Sequence, residues 1–168
     1  MTEPTTFFGT LQTLTVKDLM RPRTSLTTAE ETTPLAHIIA TLNDTDHIWI
    51  IHDTTTQTLT GIITRSNTLQ LFARPIGTND YDQPQPASLQ WDTDLTAQDI
   101  MTPKPFTTTQ DTTLADALTT MKDFDVKQLP VMEKTDKNHQ LTGEITLRQI
   151  IDLYTHHTQD AIKTTQTI

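Results

Sequence analysis

The sequence contains no cysteine. Disulfides, thiolate metal sites and cysteine nucleophiles are thereby excluded, and the absence fits a reducing compartment. Glycine is scarce, four residues in 168, and no Gly-x-Gly-x-x-Gly or Walker-type phosphate loop can be assembled. No serine nucleophile elbow is present. Basic residues are also few: 12 against 21 acidic ones, for a formal net charge of -9. Phosphate neutralisation needs clustered Lys and Arg, so this balance argues against nucleic acid as a partner. The plain reading of the acidity is solubility. Long apolar runs are missing too, and nothing approaches the roughly 20 residues of a membrane-spanning helix. Residues 1–15 lack the basic-then-apolar order of a signal peptide. A cytoplasmic chain with no direct membrane insertion is expected, any membrane being supplied by another chain or segment.

Threonine, in contrast, makes up close to a quarter of the chain. Its β-branched side chain suits strands, and its hydroxyl suits helix caps, so the bias is compatible with a folded domain.

The informative feature is an internal repeat with a period of about 80 residues. Val16-Lys17-Asp18-Leu19-Met20-Arg21-Pro22 matches Ala97-Gln98-Asp99-Ile100-Met101-Thr102-Pro103. Thr33-Pro34-Leu35-Ala36-His37-Ile38-Ile39 matches Thr112-Thr113-Leu114-Ala115-Asp116-Ala117-Leu118. His47-Ile48-Trp49-Ile50-Ile51 matches Gln128-Leu129-Pro130-Val131-Met132, and Leu59-Thr60-Gly61-Ile62-Ile63-Thr64 matches Leu141-Thr142-Gly143-Glu144-Ile145-Thr146. Each copy reads as strand, helix, strand, strand, helix. Leu35, Ile38, Ile39 and Leu42 recur at helical spacing in the first copy, and Leu114, Ala117, Leu118 and Met121 in the second. A closing helix starts near Arg65 or Leu147, carrying Leu69, Leu71 and Phe72 or Ile150, Ile151 and Tyr154. Residues 1–73 then hold an N-terminal segment and the first copy. Residues 74–94, with several Pro and little periodicity, form a linker whose end Leu89 and Trp91 could pin. Residues 95–168 hold the second copy and a polar tail that frays or extends the last helix.

These blocks resemble the CBS domain, named after cystathionine beta-synthase. Its pattern opens on Asp-hydrophobic-Met-Thr, includes a Leu-Pro-Val-Val strand and closes on Gly-hydrophobic-x-Thr-x-x-Asp. The second copy carries Asp99-Ile100-Met101-Thr102, Leu129-Pro130-Val131-Met132 and Gly143-Glu144-Ile145-Thr146. The first carries Asp18-Leu19-Met20-Arg21, Ile48-Trp49-Ile50-Ile51 and Gly61-Ile62-Ile63-Thr64-Arg65-Ser66-Asn67. The resemblance implies an α+β fold: a Bateman module of two CBS domains packed through their sheets with pseudo-twofold symmetry, forming a homodimer. It also implies clefts that in many members bind AMP, ADP, ATP or S-adenosylmethionine, with no cofactor required and no catalysis.

Thr64 and Thr146 fall at strand-to-helix junctions, where unpaired N–H groups and a partial positive charge suit an anion. Arg65 and Arg148 follow in the first turn; Arg23 and Lys104, in the Met-x-Pro loops, are further phosphate candidates. The family's ribose-holding Asp is replaced by Asn67 and Gln149. Ser25, Leu26, Ile48, Phe106 and Leu129 are expected around an adenine ring, with Phe106 the stacking candidate. A second reading needs no ligand: Thr64 is a good N-cap, and Thr146-Leu147-Arg148-Gln149 is a capping box. Phe106 likewise fits an ordinary core position.

No catalytic or metal-binding residues are expected. His156 and His157 point about 100° apart on a helix, and His37, His47, His52 and His139 form no cluster in sequence. Asp44, Asp46, Asp123 and Asp125 read as solvated turns. The leading expectation is a regulatory sensor of an adenine nucleotide or adenosyl ligand that signals to a transporter or enzyme partner. One alternative is the cytosolic regulatory domain of a chloride-channel-like or other ion transporter, with Thr6 to Leu14 as connector. Another is a ligand-free dimerisation scaffold.

Overall fold

The computed structural model describes residues 7–69, 95–134 and 139–165. The linker over 74–94, and with it Leu71, Phe72, Leu89 and Trp91, lies outside the described residues. The chain divides into two compact units, one of residues 1–26 with 105–168 and one of residues 27–104. The opening segment of each repeat is therefore built into the unit that contains the body of the other.

The unit of residues 27–104 contains β2 (Thr28–Glu30), α3 (Leu35–Thr41), β3 (His47–Ile51), β4 (Leu59–Thr64), a 3-10 turn (Arg65–Thr68), α4 (Ala97–Ile100) and β5 (Thr102–Pro103). Its sheet runs β2-β3-β4-β5, with β2 parallel to β3 and the other pairs antiparallel. All five residues of β3 are buried, which is why it reads as a continuous apolar run and not as an alternation. Leu35, Ile38 and Leu42 project from one face of the α3 region into a core with Ile48, Ile50, Ile63, Ala97 and Ile100. The Thr54–Thr56 run is shaped by Asp53. Its carboxylate accepts the N–H groups of Thr55 and Thr56, both at 2.7 Å, and the Thr56 hydroxyl at 2.8 Å. The Thr56 N–H in particular holds the Asp53 carboxyl below its usual range.

The other unit contains α1 (Phe7–Thr13), α2 (Val16–Leu19), β1 (Arg21–Pro22), a 3-10 turn (Arg23–Ser25), α5 (Leu114–Asp123), β6 (Gln128–Lys134), β7 (His139–Thr146) and α6 (Leu147–Thr165). Its sheet is β1-β7-β6, all antiparallel. Thr108 adds a parallel bridge to Val131 where the first repeat has the full strand β2. Leu114, Ala117 and Met121 of α5 meet Val16, Leu129, Val131, Ile145 and Ile150 in the core. Helix α1 has no strong sequence signal. It is held by tertiary packing: Leu11 is buried, and the Phe7 ring meets Tyr154 edge-on at 4.8 Å. The polar tail continues α6 to Thr165. Of the three apolar residues expected on that helix, Ile150 is buried, whereas Ile151 and Tyr154 are half-exposed.

The glycine of each repeat marks a close approach. A Cβ at Gly143 would sit 2.5 Å from the backbone oxygen of Arg21. At Gly61 it would sit 2.5 Å from Sδ of Met101. These glycines let the opening segment of the opposite repeat lie against β7 and β4.

Candidate ligand-binding site

Thr64 ends β4 and Thr146 ends β7, each immediately before a helical turn. Oδ1 of Asn67 accepts the Thr64 N–H at 2.8 Å and the Thr64 hydroxyl at 2.9 Å. Its amide nitrogen donates to the Ile100 carbonyl and to Thr102 Oγ1, both at 3.0 Å. Asn67 is buried, and these four bonds use both its donors and both its acceptor positions. Gln149 repeats the arrangement. Its Oε1 accepts the Thr146 N–H at 2.8 Å and hydroxyl at 3.0 Å, and its amide donates to the Leu19 carbonyl at 2.7 Å. The Gln149 N–H donates in turn to Thr146 Oγ1 at 3.3 Å, completing a capping box.

The four arginine and lysine candidates differ in what they are free to do. Arg65 donates through Nε to the Leu42 carbonyl at 3.2 Å and pairs with Asp46 at 3.4 Å, so it caps the end of α3 and anchors the following turn. Arg148 is exposed and has no hydrogen-bond or ionic partner among the described residues. Arg23, in the turn after β1, has its Nε buried without an acceptor. A buried, unmet guanidinium nitrogen costs free energy that an acceptor would recover. Lys104 is exposed at a left-handed φ of 52°, its N–H bonded to the Thr60 carbonyl at 3.0 Å. A second buried polar atom without a partner, Thr108 Oγ1, lies in the same unit as Arg23.

Ile48 and Leu129 are completely buried in the cores of their respective units. Phe106 is 46% exposed and stacks on Phe124, with centroids 3.8 Å apart and the rings 20° from parallel. Nothing in a local sequence pattern joins Phe124, at the end of α5, to a residue 18 positions earlier. Ser25 is exposed and Leu26 half-buried. The unit of residues 1–26 and 105–168 contains Ser25, Leu26, Phe106, Leu129, Thr146, Arg148 and Gln149 as well as Arg23. Ile48, Thr64, Arg65 and Asn67 share the other unit.

One charged pair was not visible in the sequence. Arg21 donates through Nε to Glu144 Oε1 at 2.8 Å, and its terminal NH2 bonds the same oxygen. Glu144 is completely buried on β7, where the first repeat has Ile62. Among the described residues, no three His, Asp or Glu side chains converge as metal ligands, and no helix is long and apolar enough to cross a membrane.

Comparison with known proteins agrees with this architecture. The profile of the CBS domain matches residues 16–74 and again 97–156. No curated protein matches the sequence at a significant level. Among solved structures, the CBS-pair protein CBSX2 from Arabidopsis thaliana is similar at 24% identity and a TM-score of 0.66, over 87% of this chain and 97% of that one. CBSX2 has also been solved in complex with AMP. The CBS domain of a bacterial CNNM/CorC family Mg2+ transporter in complex with ATP is similar at 15% identity and a TM-score of 0.64, over 87% and 90%. The CBS domain pair of protein MJ0100, in complex with 5'-methylthioadenosine and S-adenosyl-L-methionine, is similar at 20% and 0.60, over 83% and 98%. These likenesses establish the shared fold. With the order of repeated blocks, the exchanged opening segments and two separate matches along its length, the chain belongs to the CBS domain family and carries the domain as a tandem pair.

Proposed function

We propose that this CBS pair is a cytoplasmic regulatory module that binds an adenine nucleotide or related adenosyl ligand, performs no chemistry on it, and passes the bound state to a transporter or enzyme partner as a homodimer. The observation that carries the reading is Arg23, a guanidinium whose buried Nε has no acceptor among the described residues. A phosphate oxygen supplies that acceptor and a charge of the right sign. Arg148, exposed beside Thr146 at the start of α6, adds a second cation in the same unit. Thr146 stands at the positive end of a 19-residue helix. Ser25, Leu26 and Phe106 supply polar and apolar surface for a nucleoside. Relatives of the same fold have been solved with AMP, ATP and S-adenosyl-L-methionine. Arg65 contributes less in this reading, because its guanidinium already serves Leu42 and Asp46.

Binding shifts the population of two conformations, and only a ligand with unequal affinity for them transmits anything. Calorimetric titration with AMP, ADP, ATP and S-adenosylmethionine tests the reading. Saturable binding of a phosphorylated ligand, weakened about tenfold by Arg23→Gln, is expected, since one charge-assisted hydrogen bond is worth roughly 1.5 kcal/mol. Flat titrations with all four ligands refute it.

A further inference from the structure

Among the described residues, four Thr-x-x-(Asp/Asn/Gln) boxes open helical turns with the fourth side chain bonded back to the Thr N–H, and they divide by chemistry; at Thr113–Asp116 only the Thr hydroxyl caps. Thr15–Asp18 and Thr96–Asp99 start α2 and α4, the short helices of the two opening segments. Thr64–Asn67 and Thr146–Gln149 start the closing helical turns. In all four the side chain of the fourth residue accepts the Thr N–H, at 2.8 Å for Asp18, Asn67 and Gln149 and 2.7 Å for Asp99. A carboxylate completes that task. An amide completes it and still has an N–H2 to place.

Both amides place it on the same kind of acceptor. Asn67 donates to the carbonyl of Ile100, the last residue of α4, and to Thr102 in β5. Gln149 donates to the carbonyl of Leu19, the last residue of α2. Those carbonyls belong to the end of a helix, where no intrahelical donor reaches them. An ionised Asp or Glu at either position would set oxygen against oxygen.

We infer that Asn67 and Gln149 are a matched pair of latches, each fastening the opening segment of the opposite repeat to a closing helix. In this arrangement their amides serve the fold and not the hydroxyls of a ribose. The distribution of side chains follows: carboxylates where the box faces only its own Thr, amides where it also faces a carbonyl. Both latches hold whether or not a nucleotide binds.

The test uses the ligand-free full chain and the near-isosteric changes Asn67→Asp and Gln149→Glu, which delete the donors and keep the box acceptor. Each is expected to lower the melting temperature by about 5 °C or more. Amide exchange should separate them. Asn67→Asp speeds exchange at Lys104, whose N–H bonds Thr60 across β4, roughly tenfold and leaves Met20 unchanged. Gln149→Glu does the reverse. Thr102→Val removes one acceptor of the first latch at an exposed position, and on the Asn67→Asp background it adds less than it costs alone. Melting temperatures within a degree of the parent chain, with exchange unaltered at both segments, overturn the inference. So does an Asn67→Asp chain that keeps its opening segment protected and gains affinity for AMP over 2'-deoxy-AMP, the signature of a ribose acceptor. If Asn67→Asp does not fold, unchanged Lys104 exchange in Thr102→Val overturns it alone.

Discussion

Arg21→Ala removes the guanidinium that meets Glu144 across the β1–β7 pairing. The Glu144 side chain is 0% exposed, whereas that of Arg21 is 48% exposed. Removing one member of a buried ion pair costs about 3–5 kcal/mol where the other charge is left desolvated and unmet; Glu144 makes a further interaction besides this pair, which softens the loss. Half of Arg21 is in water, so its contribution is screened and the low end, about 3 kcal/mol, applies. For a chain of this size that is roughly 6–12 °C in melting temperature. The first repeat supplies the control. Its matching register sets Thr102 against Ile62, an apolar residue 8% exposed. Transplanting that pair, Arg21→Thr with Glu144→Ile, removes the buried charge altogether and is expected to return stability to within about 1 kcal/mol of the parent or above it. Urea unfolding followed by circular dichroism reads both variants, with the midpoint moving and the slope constant. An unchanged midpoint for Arg21→Ala refutes the reasoning, as does a double variant no more stable than the single one.

Gly143→Ala drives a methyl group to 2.5 Å from the Arg21 backbone oxygen, which moves only if β1 moves, whereas Gly61→Ala meets first the flexible side chain of Met101. A loss of about 2 kcal/mol is expected for the first and less than half that for the second, compared by thermal melting. Asp18 has its carboxyl lowered from 3.8, first by the Thr15 N–H and then by the Thr15 hydroxyl. Its contribution is therefore present above pH 3.8 and disappears as the pH falls through the lowered folded value. Asp18→Asn should flatten stability against pH in that acid window and leave the curve near neutrality parallel to the parent's.

The order of elements could be read in advance because helices and strands advertise themselves by period. Leu35, Ile38 and Leu42, or Leu114, Ala117 and Met121, mark a helix face within a few turns. Strand β1 is two residues long, and nothing in Arg21-Pro22 names a partner 123 positions away. The exchange of opening segments was illegible for that reason, and so was the ion pair that depends on it. The capping box at Thr146 was legible because both ends lie within one turn. The second bond made by each box amide was not, since it depends on tertiary structure. Arg65 shows the same limit: its helix-start position makes it a phosphate candidate, and the Leu42 carbonyl beside it is found only in the fold. Helix α1, Phe-Phe-Gly-Thr-Leu-Gln-Thr, contradicts local propensity and exists through Leu11 and Phe7.

The exchange of opening segments also sets a schedule at the ribosome. Everything the unit of residues 27–104 needs has been synthesised once Lys104 is added. The segment from Phe7 to Leu26 is made earlier and finishes later, because Arg21 must await Glu144, 123 residues downstream. At about 5–20 residues per second that interval is roughly 6–25 s. During it Val16, whose final place is fully buried, has no completed core to enter. The unit of residues 27–104 is complete in sequence before the oldest part of the nascent chain has its partners.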